Sequence, residues 1–92
     1  MAWVYILKDD LSGRFYIGST NDLQRRLKQH RNGHTQTTRW MKSFTLVFSQ
    51  DYPSLADARD IERQLKRLKR RDYIERIITD NYIRMQVRQP RR

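Results

Sequence analysis

Apolar positions along this chain fall into two rhythms. Trp3-Val4-Tyr5-Ile6-Leu7 is a β-branched and aromatic run and reads as a strand. Asp9-Asp10-Leu11-Ser12-Gly13 is turn chemistry, with Gly13 free to take positive φ, and Arg14-Phe15-Tyr16-Ile17-Gly18 is a second strand. Two strands joined by so short a turn form an antiparallel hairpin. Phe44-Thr45-Leu46-Val47-Phe48 supplies a third strand. The helical rhythm begins after Ser19-Thr20-Asn21-Asp22, which offer N-cap side chains. A first helix is expected from about Leu23 to Arg31, with Gly33 as its stop. Thr35 to Ser43 is polar and aperiodic, so it reads as a loop pinned by Trp40 and Met41. Ser54 and Asp57 fit a capping box, and Leu55, Ala58, Ile61, Leu65 and Leu68 then recur at helical spacing to about Arg70. Asp72 is placed to cap a further helix carrying Tyr73, Ile74, Ile77 and Ile78. Ile83, Met85 and Val87 alternate in a tail that ends on Arg91-Arg92 and suits a short strand, a helix extension or a frayed arm.

The order β-β-α-β-α-α predicts an α+β fold, a three-stranded, mostly antiparallel sheet with packed helices. One domain over residues 1–82 and a basic C-terminal tail over 83–92 account for the 92 residues.

Charge narrows the function. The formal net charge is +10, which attracts phosphate backbones or an anionic membrane surface. No apolar run approaches the roughly 18–20 residues of a membrane span, so no membrane role beyond a peripheral one is expected. Met1-Ala2-Trp3 leads straight into a strand, so no signal peptide is expected. With no cysteine, disulfides, thiolate zinc sites and a thiol nucleophile are excluded.

Polar residues interrupt both helical stripes. The stripe through Leu23 and Leu27 also takes in Arg26 and His30. Such groups either snorkel to the edge of a core or border a cleft that binds an anion. Glu62 falls on the stripe of Ala58, Ile61 and Leu65, and it either pairs with Lys66 one turn on or serves as a hard-cation ligand. It is the last carboxylate before the basic run Lys66-Arg67-Leu68-Lys69-Arg70-Arg71, which is a solvated helix face or a nucleic-acid footprint. Taken alone, Tyr5 and Tyr16 read as packing residues whose hydroxyls need partners.

Together these residues resemble the GIY-YIG nuclease family over about Trp3 to Ile78. The marks are Trp3-Val4-Tyr5-Ile6-Leu7, then Phe15-Tyr16-Ile17-Gly18, then Thr20-Asn21-Asp22-Leu23 followed by Arg26-Leu27 and His30, then Glu62 on a later helix. In layout the chain is similar to small stand-alone bacterial members akin to the amino-terminal nuclease domain of excinuclease C. Three positions depart: Trp3-Val4-Tyr5 replaces Gly-Ile-Tyr, Ser19 stands where some relatives carry lysine, and only Asn81 is available for a late asparagine.

The resemblance implies hydrolysis of a DNA phosphodiester by water, with one Mg²⁺ or Mn²⁺ ion held by Glu62 as Lewis acid. It implies catalytic roles for Tyr5, Tyr16, Arg26, His30 and Glu62. Arg26 would hold non-bridging oxygens, Tyr5 would orient or deprotonate the water with Tyr16 beside it, and His30 would orient a phosphate or relay a proton. Gly18, Ser19, Thr20, Asn21, Lys66, Arg67 and Arg70 are the expected substrate contacts. So small a domain offers few base-edge contacts, so selectivity for single-stranded or branched DNA is expected over sequence specificity, and the sequence does not separate DNA from RNA. Trp3, Trp40 and Tyr52 are candidates for base stacking. A cytoplasmic, bacterial-type protein acting in repair, recombination or processing follows from the same resemblance. Two rivals stand beside it: a basic module that binds nucleic acid without cutting it, and a protein that docks onto a larger repair complex.

Overall fold

Val4, Tyr5, Ile6 and Leu7 are consecutive, and each is fully buried. Side chains alternate along a strand, so this run must be covered on both faces. The computed structural model, which describes residues 1–32 and 43–87, shows how. Its elements are β1 (Ala2–Asp9), β2 (Phe15–Thr20), α1 (Leu23–Arg31), β3 (Phe44–Tyr52), α2 (Leu55–Leu68) and α3 (Arg71–Asp80). The fold is α+β. The sheet has the order β2-β1-β3, and both pairings are antiparallel.

The pleat of β1 sorts the interior into two clusters. Ala2, Val4 and Ile6 join Phe48, Ala58, Ile61, Leu65, Ile74 and Ile77. Tyr5 and Leu7 join Leu27, with Tyr16, Leu23, Phe44 and Leu46 packed around them. The helices α2 and α3 therefore serve one face and α1 the other. The β1–β3 register shifts between Ile6 and Leu7, which pair with Phe48 and Leu46, and Val47 is the extra residue of the bulge. Gly13 closes the β1–β2 hairpin at φ 77, and its N–H donates to Asp9 O at 2.8 Å.

Several boundaries move from the sequence expectation. Strand β2 runs on to Thr20, so Ser19 and Thr20 are strand residues, and Asp22 caps α1 by accepting Arg25 N–H at 3.1 Å. Strand β3 continues past Phe48 to Tyr52. Helix α2 starts as expected, with Ser54 Oγ accepting Asp57 N–H at 3.1 Å. It ends at Leu68 because Lys69 turns into the left-handed region at φ 50. Asp72 does not cap α3. Arg70 holds that position, and Asp72 lies in the first turn bonded to the Arg70 guanidinium at 2.7 and 3.2 Å. Asn81 is the left-handed cap that ends α3, at φ 55. The expected stop at Gly33, the loop with Trp40 and Met41, and Arg91-Arg92 lie outside the described residues.

The segment after Asn81 has no regular structure as far as Val87, yet it is tied down. Ile83 is 1% exposed, and Gln50 brackets its backbone: Oε1 accepts Ile83 N–H at 2.9 Å and Nε2 donates to Ile83 O at 3.4 Å. Gln64 Nε2 donates to Gln86 O at 2.9 Å. No helix among the described residues is long and apolar enough to cross a membrane. Because Ile83 fills the larger cluster, Ile83→Ala is expected to cost about 2–4 kcal/mol in urea denaturation. A change below about 0.5 kcal/mol would mean the segment does not hold the core.

Candidate active site

Strand β1 aims Tyr5 at the α1 face, where it lies opposite Gly18 on β2. The phenol ring crosses that glycine. A Cβ built on Gly18 would come 2.5 Å from Tyr5 Cζ, closer than any real contact, and would also strike the hydroxyl. The glycine, expected as a substrate contact, is thus required by the tyrosine ring itself. Laid flat in this way, the Tyr5 hydroxyl reaches α1. It lies 2.8 Å from His30 Nε2 and accepts from Arg26 Nε at 3.3 Å. The stripe of Leu23, Arg26, Leu27 and His30 does face inward, as its spacing predicts. Arg26 is half-buried and held from behind by Gln29 Oε1 at 3.2 Å, while His30 is buried. Tyr16, on the same face, sets its ring 6.4 Å from Tyr5 and 5.3 Å from His30, and Phe44 closes the far side of the imidazole at 6.2 Å.

Burial governs the protonation states here. It pushes the Tyr5 phenol up to about 12, against the opposing pull of the Arg26 hydrogen bond. Burial, with the Arg26 charge second, pulls His30 down to about 4, so the imidazole is neutral at pH 7. The hydrogen bond from Arg26 to Tyr5 and the electronegative phenol oxygens keep the guanidinium charged. Arg26 can only donate, so we assign the Tyr5 hydroxyl proton to the bond with His30 Nε2, leaving the imidazole proton on Nδ1. The site then holds one fixed positive charge and one hydroxyl, oriented at both ends.

Glu62 approaches from α2 across the edge of β2. Ser19 Oγ donates to its Oε1, and Lys66 Nζ donates to its Oε2 at 2.6 Å. The i, i+4 pair expected from the sequence is therefore present. Lys66 also lies 5.8 Å from the Tyr16 ring centroid, which joins this carboxylate to the tyrosine cluster. The donor set suits a hard cation. Glu62 is one-fifth exposed, carries a hydroxyl beside it, and already has a cationic ammonium against one oxygen. Among the described residues no three His, Cys, Asp or Glu gather as a cage, so a Mg²⁺ or Mn²⁺ ion here would keep waters and need substrate oxygens.

The remaining expected contacts scatter. Thr20 accepts Asp22 N–H at 3.1 Å and shapes the entry to α1, with Asn21 exposed beside it. Arg67 faces the side of α2 that carries Asp60 and Gln64, beside Met85 of the C-terminal segment and away from Glu62. Arg70 is held by Asp72. Tyr52 is half-buried against the larger cluster, its hydroxyl accepts from Gln50 Nε2 at 3.0 Å, and burial pushes its phenol up to about 12. Trp3 is half-buried, and Trp40 lies outside the described residues. Sequence reasoning missed the bond from Ser19 to Glu62, which joins positions 43 apart and has no local signal.

Comparison with known proteins shows which family this fold and sequence resemble. The profile of the GIY-YIG catalytic domain matches residues 1–75. A UPF0213 protein of Streptococcus pneumoniae is 35% identical over 81 residues, which is 87% of this chain and 80% of that protein. UPF0213 protein BH0048 of Halalkalibacterium halodurans is 39% identical over 70 residues, 75% of this chain and 73% of that protein. The solution NMR structure of UPF0213 protein BH0048 from Bacillus halodurans aligns with a TM-score of 0.54 at 34% identity, covering 88% of this chain and 87% of that one.

Gly18→Ala tests the steric dependence. The added methyl must displace the Tyr5 ring, so a loss of about 1–3 kcal/mol in urea denaturation is expected, with a changed Tyr5 environment in the near-ultraviolet spectrum. Wild-type stability in that variant would contradict the packing described.

Proposed function

The chain belongs to the GIY-YIG catalytic-domain family of nucleases, and from that premise we propose that it is a divalent-metal-dependent endonuclease that hydrolyses DNA phosphodiesters in repair, recombination or processing. The observation that carries this reading is the convergence of Arg26, Tyr5 and His30 on one hydroxyl, beside a carboxylate reached through Ser19.

In this reading Arg26 donates its outer N–H groups to non-bridging phosphate oxygens while its Nε stays on Tyr5. Tyr5 orients the attacking water and takes its proton, passing its own hydroxyl proton to His30 Nε2. The imidazolium so formed holds the proton until bulk water removes it. Tyr16 lies beside Tyr5 and flanks the water. Held by Glu62, one Mg²⁺ or Mn²⁺ ion would supply Lewis acidity at the scissile phosphate. Lys66 has to leave Oε2 for that, and its ammonium is then free for phosphate. Base-edge contacts are few on so small a surface, so strand or structure selectivity is favoured over sequence specificity, with single-stranded or branched DNA as the substrate. One observation favours the binding-module alternative: Lys66 already satisfies Glu62 at 2.6 Å.

Labelled single- and double-stranded DNA, incubated with and without Mg²⁺ or Mn²⁺, separates the two readings. Cleavage is expected only with metal, and Glu62→Ala and Arg26→Ala should stay folded and lose about 100-fold or more. Undiminished cleavage by either variant would sink the site assignment. In this relay the net proton acceptor is His30, pulled down to about 4 by burial and so already neutral well below pH 7. The chemical rate should therefore stay flat from pH 7 to 9, because Tyr5 keeps its hydroxyl proton and His30 stays neutral over that range. A tenfold climb per pH unit over that range would mean that Tyr5 acts as the phenolate, and would remove the relay to His30.

A further inference from the structure

A basic groove runs along the outer side of the hairpin, between β2 and the α2–α3 junction. It measures about 310 Å³ and has Arg14, Lys66, Lys69, Arg70 and Arg71 on its walls over an apolar floor. Among the described residues no carboxylate lines it. Some of these cations are already committed. Arg71 lies 4.5 Å above the Phe15 ring, donates from NH1 to Gly13 O at 2.9 Å and pairs with Glu75 at 3.0 Å. Arg70 is paired with Asp72, and Lys66 with Glu62. Arg14 and Lys69 are in no salt bridge among the described residues. Lys69 is unusual in its backbone as well. It ends α2 at φ 50, where glycine is the default and a side chain costs conformational energy.

We infer that this groove is a track for the sugar-phosphate backbone of one nucleic-acid strand, flanking the phosphate at the candidate site. The inference rests on the nuclease reading for that neighbouring site and deepens it. Three features choose the occupant. The walls carry no carboxylate, and Arg14 and Lys69 stand outside any salt bridge among the described residues, which calls for an anion long enough to meet both. The apolar floor lowers the local dielectric and strengthens each contact. The Phe15 face is covered by Arg71, so a base cannot stack on it, and the groove reads charge along a backbone without reading sequence. Lys66 fixes the direction, because it lines the groove and also touches Glu62, so a strand lying in the groove leads to that carboxylate. An acidic peptide is the competing occupant.

The test is the salt dependence of binding, by fluorescence anisotropy, to two labelled single strands of unrelated sequence in EDTA. Lys69→Gly, Arg14→Gln, their double variant and the control Arg59→Gln are compared with wild type. Each groove substitution should flatten the slope of log K against log salt by about 0.7, and weaken binding about fivefold at 0.1 M salt. Both strands should respond equally, and Arg59→Gln should change little. Lys69→Gly relieves the left-handed backbone, so its Tm should equal or exceed wild type, which separates lost contact from lost fold. A wild-type slope in the double variant overturns the inference. So does an equal effect from Arg59→Gln, a wild type that binds neither strand, or, with labelled polyglutamate measured alongside, a double variant that loses only the polyglutamate. Because binding is read without metal, a protein that binds through the groove and never cleaves keeps this inference and loses the nuclease reading. A cleaving protein whose double variant keeps the wild-type slope does the reverse.

Discussion

The Tyr5 ring lies across Gly18, and the geometry of the site follows from that contact. A strand in the middle of a sheet normally sends its side chains straight out from the pleat. Here the neighbouring strand offers no Cβ, so the ring folds down over bare backbone. That brings the hydroxyl to Arg26 and His30 on α1. Two residues that a helical stripe would otherwise send to the core's edge thereby gain a buried polar partner. The cost of burying them is met by hydrogen bonds instead of by water.

The same contact sets the electrostatics. Burial makes the phenol hard to ionise and the imidazole hard to protonate, so the pair rests as Tyr–OH and neutral His30 beside a permanent guanidinium. The negative group sits apart. Glu62 comes from the helix on the opposite face of the sheet and reaches the edge of β2 through Ser19. Charges of opposite sign are thus held near each other by different faces of one sheet, and Arg26 is not neutralised by a direct pair with Glu62. That leaves Arg26 for a phosphate. Lys66, which spans the carboxylate, the Tyr16 ring and the basic groove, links the two sides.

Element types and order were legible in the sequence because each rests on local patterning: the aromatic and β-branched runs, the two helical stripes, Ser54 as a cap. The intruders Arg26, His30 and Glu62 were legible for the same reason, since a polar group on an apolar stripe is a local contradiction. Their partners were not. Period-two alternation places Tyr5 on a face but says nothing of what lies opposite, so its dependence on Gly18 needed the strand register. The bond from Ser19 to Glu62 needed the packing of α2 on β2. Ser19 and Thr20 looked like helix caps because the strand and the cap draw on the same small polar residues. The end of α2 and the start of α3 were misplaced because Lys69 adopts a left-handed turn without the glycine that would have announced it.

The central claim is that the Tyr5 hydroxyl, and not only its ring, organises the site. Tyr5→Phe isolates it, because the ring still covers Gly18 while the bonds to Arg26 and His30 are lost. The measurement is the single-turnover rate of metal-dependent cleavage of a labelled DNA strand by this variant, beside its unfolding midpoint in urea. A drop of about 100-fold or more with the fold retained is the predicted result. Cleavage at the wild-type rate would show that the hydroxyl only fills the core, and the account of the site would fail.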